Sequence, residues 1–301
     1  MINIVRAVLG VLTAIYAVLF AKDYAATMKT DLTDTSEGTQ GWEESEGWVK
    51  PGIIGFIANF GDTLGIGSFA PIVAMTKFSK MKVKDKHIPG MLNVSCCIPV
   101  VTEALIFTTV IEVESITLIT MLAAAGIGSY VGAGIISKMD EKKIQLVMGV
   151  ALFITAVLML LSHPYVNLLP GGGEAIGLTG VKLVIGIVGN FILGALMTAG
   201  IGLYSPCMAL VYFLGMSPKV AFPIMMGSCA VLMPIASAKF IKEGEYPRKI
   251  SLAITIGGVI GVFIAAYLVK SLPMDILKIL VIIVIFYTSF TMLKPALSNR
   301  K

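Results

Sequence analysis

Gly65-Ile66-Gly67-Ser68-Phe69-Ala70-Pro71 and Gly200-Ile201-Gly202-Leu203-Tyr204-Ser205-Pro206 are two copies of one pattern, 135 residues apart. Each sets helix-breaking glycines and a proline inside an apolar run. The same offset pairs Phe56 with Phe191, Phe78 with Phe213, Met81 with Met216, Lys84 with Lys219, Pro99 with Pro234 and Gly126 with Gly261. Further along, Met139 to Ile144 reads against Met274 to Ile279 with four of six positions identical and no net gap. The chain is therefore a duplication of a unit of about 110 residues, and a duplication governs every later reading.

Composition places both copies in a membrane. Hydrophobic residues make up 56% of the chain, charged residues 14%, and the mean hydropathy is +0.90, whereas soluble domains carry roughly 25% charged residues. Runs long enough to span lie at Ile4–Ala21, Ile88–Val110, Ile116–Ile136, Ile144–Leu161, Ala221–Phe240, Ile250–Val269 and Ile276–Leu293. Two further runs, Pro51–Phe78 and Val181–Leu214, contain the repeated motif and are either single broken helices that cross or pairs of half-helices that return. The first run is read as a retained helix, being at the long end for a signal-peptide core. The net charge of +5 suits basic loops facing the cytoplasm and gives no reason to expect nucleic acid.

Charge counting separates the two topologies. If both ambiguous runs cross, the copies are parallel and the 23 Lys and Arg residues divide twelve against eleven. If both return, the copies are inverted and the division is eighteen against five, with only Arg6, Lys182, Lys219, Lys270 and Lys278 outside. The positive-inside rule selects the second. The expected fold is thus an all-α polytopic membrane protein with two inverted repeats. Each repeat holds a broken or re-entrant helix plus three transmembrane helices, and one extra N-terminal transmembrane helix precedes them. The expected organisation is a helix at 1–22, an acidic polar loop at 23–50, repeat one at 51–162, a linker at 163–180, repeat two at 181–294 and a basic tail at 295–301. The expected setting is the plasma membrane.

Non-helical backbone at membrane depth needs protein or a water-filled cavity to satisfy it. The glycines Gly65, Gly67, Gly200 and Gly202 therefore predict a lined cavity, with Ser68, Tyr204 and Ser205 adding hydroxyls. The half-helix after each motif aims amides and a positive dipole end there, an arrangement suited to an anion. Glycines 126, 128, 132, 134, 257, 258 and 261 are read instead as close helix packing. The following helix in each copy carries a Ser-Cys dipeptide between prolines, which nominates Asn93, Ser95 and Ser228. Cys207, beside Pro206, is the thiol expected nearest the substrate, while Cys96, Cys97 and Cys229 read as inert. Asp62, Glu103 and Lys239 are the intramembrane charge or coupling candidates, with snorkelling at helix ends an equal account of the last two. No metal-ligand spacing and no Ser/His/Asp set is visible, so neither cofactor nor catalysis is expected.

A glycine-broken helix running into a proline (GDTLGIGSFAPIV, TAGIGLYSPCM), a second helix with small polar residues and a glycine-rich third, all duplicated, resembles the sulfite exporter TauE/SafE family over residues 51–294. The family often has a denser glycine run where this chain has Ser68-Phe69 and Leu203-Tyr204. The resemblance implies export or uptake of a small sulfur-containing anion such as sulfite or an organosulfonate. The partners expected are that anion, the lipid bilayer and a coupling proton or ion, and a homo-oligomer is compatible with the sequence. Two other readings stand beside it: a membrane thiol enzyme or carrier using Cys96, Cys97, Cys207 and Cys229, and an uncoupled anion channel.

Overall fold

The computed structural model describes residues 2–30, 47–83, 87–136, 141–161, 173–197, 203–244, 246–271 and 274–297, with 163, 165, 166 and 168 between them. The described residues form α-helices and one short 3₁₀ turn, with no strand among them. In order they are α1 (Ile2–Thr30), α2 (Val49–Thr63), α3 (Phe69–Phe78), α4 (Ile88–Val110), α5 (Ser115–Ile136), α6 (Glu141–Leu161), α7 (Gly180–Met197), α8 (Tyr204–Phe213), α9 (Ala221–Glu243), α10 (Arg248–Ser271) and α11 (Met274–Leu297). Five stretches are long and apolar enough to cross a membrane: Val5–Thr27, Gly90–Val110, Gly180–Met197, Pro218–Glu243 and Arg248–Leu268. The protein is a polytopic helical membrane protein. The other expected spans form α5, α6 and α11, of 22, 21 and 24 residues, each about 30 Å or more in length.

Two boundaries differ from the sequence reading. Helix α1 continues past Lys22 to Thr30, because Asp23 finds a partner: its carboxylate accepts from Arg248 Nε at 2.7 Å and from the Tyr246 hydroxyl. Helix α7 has 18 residues and rises about 27 Å, longer than a half-helix needs.

The first break falls where its glycines require it. After Thr63 the chain leaves helical geometry, and Gly65 and Gly67 take φ of 94° and 85°, values that cost an L side chain roughly 1–2 kcal/mol. Helix α3 restarts at Phe69 and α8 at Tyr204, inside the motifs rather than after them. Pro71 and Pro206 therefore occupy first turns, where a missing N–H leaves no helical bond unmade.

Packing follows the small residues, because lipid supplies no hydrophobic drive between helices and close backbone approach must. On α10, a Cβ at Gly257 would strike the Gly52 carbonyl and one at Gly261 the Phe56 carbonyl, so α10 lies against α2 in the same direction. On α5, a Cβ at Gly128 would strike the Phe191 carbonyl, and Asn190 donates to the Met121 carbonyl at 2.7 Å, so α5 lies against α7 in the same direction. Each repeat's broken helix thus packs on the other repeat's glycine-rich helix. Gly126 meets the Val231 side chain; the side chains around 132 and 134 lie outside the described residues.

Helix α4 also follows α10. Pro99 removes the N–H that would have bonded the Ser95 carbonyl, and Thr255 of α10 donates to that carbonyl at 2.8 Å. The equivalent helices α4 and α9 run in opposite directions: Phe107 stacks on Phe222, while Val100 shares a cavity wall with Cys229 and Met233. So do α6 and α11, where Gly149 meets Ser289 and Leu293 while Phe153 meets Phe286. The turn before α5 is stitched to the inter-repeat segment by Glu114 N–H to the Ile176 carbonyl at 2.8 Å. Glu114 also caps α5, accepting from the Thr117 hydroxyl and the amides of Thr117 and Ile116, which holds its carboxyl below the usual range.

Candidate functional site

The two helix pairs α2–α3 and α7–α8 meet at one cavity of about 50 Å³. Its wall comes from the α2–α3 break (Asp62, Ile66, Gly67, Ser68, Phe69), the α7–α8 elements (Met197, Leu203, Tyr204, Ser205), α4 (Val100), α9 (Cys229, Met233) and α11 (Thr288). A water needs roughly 10–15 Å³ in the same measure, so the space takes a few waters or one small oxyanion.

The polar groups on this wall are the hydroxyls of Ser68, Tyr204, Ser205 and Thr288, backbone amides and one carboxyl, that of Asp62. Ser68 and Leu203 stand at the N-cap positions of α3 and α8, and neither side chain caps its helix. Their first amides therefore belong to helix ends whose donors lack internal partners. The Ser68 hydroxyl turns away from capping and donates to Asp62 Oδ2 at 3.0 Å. Ser205 and Thr288 share a hydrogen bond of 2.7 Å across α8 and α11.

Behind the wall, Glu103 is fully buried and ties the two breaks together. Thr63, the last residue of α2, donates to its Oε1 at 2.8 Å, and Tyr204, the first residue of α8, donates to its Oε2 at 3.0 Å. The Tyr204 hydroxyl also lies within reach of Asp62. Two carboxyl groups thus share one phenol in a site whose lining holds no Lys, Arg or His.

These magnitudes conflict for an anion. A helix N-terminus contributes about 0.3–1 kcal/mol to a nearby negative charge, and about 2 at best. An ionised carboxylate about 4 Å away repels an anion by about 4 kcal/mol at an effective dielectric of 20. Two helix ends at most offset one ionised Asp62.

Of the residues nominated from sequence, Asp62, Gly67, Ser68, Tyr204 and Ser205 line the cavity. Gly65 is buried beside it, where a Cβ would meet the Met208 methyl. Gly200 and Gly202 lie outside the described residues. The others go elsewhere. Asn93 is half-buried on α4 away from the lining. Ser95 joins α4 to α10 through its carbonyl. Ser228 accepts from Asn190 at 2.8 Å, bracing α9 on α7. Cys207 is buried off the wall while Cys229, read as inert, lines it and donates to Met197 Sδ at 3.5 Å. The reversal has a geometric cause: Cys207 is the fourth residue of α8, one turn beyond the end that faces the cavity. Glu103 does not snorkel, having no exposed surface, whereas Lys239 is exposed on α9 and outside the site. Thr63, Thr288, Met197 and Met233 carried no motif; their positions matter only through the packing of distant helices.

A bundle of apolar helices with two helix pairs, one from each half of a duplication, meeting at a small and mostly apolar cavity that carries a few hydroxyls and one carboxyl fits a membrane transporter. The chain belongs to the sulfite exporter TauE/SafE family, whose profile matches residues 2–159 and 182–301. The match includes α1, so the first helix is part of the family pattern and not an addition to it. It is a family of membrane transporters for anionic sulfur compounds. No curated protein and no solved structure matches the chain.

Proposed function

We propose that the protein carries a small sulfur-containing anion, such as sulfite or an organosulfonate, across the plasma membrane by alternating access between two inverted halves. The observation that carries this reading is the meeting of the α3 and α8 N-termini, one from each repeat, on a single cavity with Ser68, Tyr204, Ser205 and Thr288. Support for inversion comes from the antiparallel course of α4 against α9 and of α6 against α11. Support for a re-entrant first break is that α2 and α4 both follow α10, so α3 must carry the chain back between them. The α5, α7 and α9 contacts repeat that relation in the second half, with Gly227 against Leu122 and Gly126 against Val231. Midplane sites between such repeats suit rocking of one half against the other.

The alternative of covalent sulfur handling has little support in the geometry, since Cys97 and Cys207 are not on the cavity wall, Cys229 on that wall donates its thiol to Met197 Sδ, and no Lys, Arg or His lines the cavity to activate a thiol. The test is thermal stabilisation of the purified protein by sulfite, sulfate, thiosulfate and methanesulfonate, an effect worth about 2.7 kcal/mol at a ligand concentration a hundredfold above Kd. In liposomes, Gly67→Leu fills the open space beside Gly67 and abolishes flux of the stabilising anion while the protein still folds. No stabilisation by any of the four anions, or normal flux of a stabilising anion in the variant, rejects the reading.

A further inference from the structure

We propose that Asp62 takes up a proton together with the anion, which makes the protein a proton–anion symporter. The inference rests on the transporter reading above and adds its coupling ion. Asp62 is 2% exposed and lines the cavity, and its Oδ2 accepts from the Ser68 hydroxyl. The groups facing it are the Tyr204 phenol from α8, Glu103 and the Cys96 thiol from α4, and the Cys229 thiol from α9; α11 contributes only the neutral Thr288. No cation is among them. An anion at the α3 and α8 ends therefore sits beside a carboxylate whose repulsion the two ends at most offset. A proton on Asp62 removes that repulsion and leaves a carboxylic acid, which donates one more hydrogen bond to the anion.

Glu103 is the poorer carrier although it is equally buried. It is off the cavity wall and already holds Thr63 and Tyr204, so it acts as the tie between the two breaks. Of the two carboxyl groups, Asp62 is the one that touches both the space for the anion and the network behind it. The proton comes from water on the open side and leaves with the anion on the other, so no net charge stays behind. In a membrane that is acidic on its outer face, this coupling drives the anion inward.

The decisive measurement is proton uptake by the full-length protein in weakly buffered detergent solution on adding sodium sulfate or sodium methanesulfonate. Methanesulfonate stays unprotonated across the accessible pH range, so protons lost from solution go to the protein. About one proton is expected per anion bound, with affinity tightening about tenfold for each unit of pH decrease where free Asp62 is ionised. Asp62→Asn takes up no proton, and its anion affinity is flat with pH. Anion binding without proton uptake by the wild type, or undiminished uptake by Asp62→Asn, overturns the inference and leaves the transporter reading standing. Failure of sulfite, sulfate, thiosulfate and methanesulfonate alike to bind overturns both. If Asp62→Asn does not fold, the wild-type proton count decides by itself.

Discussion

At the scale of single residues, the site depends on one phenol. Tyr204 OH is the donor that reaches Glu103 from the second repeat, and Thr63 is the donor from the first. Removing one donor from a buried carboxylate costs about 1.5–3 kcal/mol, because nothing in the apolar bundle replaces it. Tyr204→Phe keeps the ring and deletes only the hydroxyl, so it should weaken anion binding about tenfold or more and lower the thermal midpoint, both read on the same purified sample. An unchanged affinity with a lowered midpoint would make Tyr204 a structural residue only. Tyr204 was legible in the sequence through its place in a repeated motif. Glu103 was legible only as an intramembrane charge. Its role depends on partners 40 and 101 positions away, and no local pattern encodes that distance.

At the scale of elements, the duplication was readable because glycine and proline act locally. A positive φ at Gly65 and Gly67 ends a helix where it occurs, and Pro71 fits the first turn of the helix that restarts. Which helix packs on which was not readable, since small residues permit close approach without naming the partner. The structure supplies that exchange: α10 of repeat two holds α2 of repeat one, and α5 of repeat one holds α7 of repeat two. A Cβ at Gly257 or at Gly128 would occupy a carbonyl of the opposing helix, and neither backbone yields cheaply. Overpacking of this kind costs typically 1–3 kcal/mol. Gly257→Ala and Gly128→Ala should therefore each lower the thermal midpoint by similar amounts, since they strike pseudo-equivalent seams. Gly10 of α1 has open space around its Cβ position, and Gly10→Ala should leave the midpoint unchanged or raise it slightly through helix propensity. A loss in Gly10→Ala as large as in the other two would mean that the glycines act through something other than the seams.

For the whole molecule, the proposed inversion draws on two independent routes, helix directions and surface charge. The basic clusters near Lys77–Lys86 and Lys239–Lys249 fall together only if the halves are inverted. The contacts are consistent with it: Asp23, in the C-terminal part of α1, pairs with Arg248 at the start of α10, while Arg6 near the start of α1 donates to the Thr108 carbonyl near the end of α4. In the proposed topology one end of α1 would lie on the basic side and the other on the sparsely charged side. What the charges alone left unreadable was the depth of the breaks, because lysines report which side a loop is on and not how far a hairpin reaches inward. Single cysteines labelled by a membrane-impermeant maleimide test the arrangement directly, with little background from the four native thiols, which are all buried. Lys82→Cys and Lys242→Cys, both exposed positions, should label from one face of the membrane. Glu112→Cys and Lys182→Cys, also exposed, should label from the other. Parallel copies with crossing broken helices would put Lys82 and Lys242 on opposite faces, so a split of that pair defeats inversion. Labelling of all four from their expected faces would require the α7–α8 pair to enter and leave on the sparsely charged side, because Lys182 opens it and α9 must cross to bring Lys242 to the basic side. The anion cavity would then lie between two hairpin tips that enter from opposite faces, which is the geometry that rocking of the halves needs.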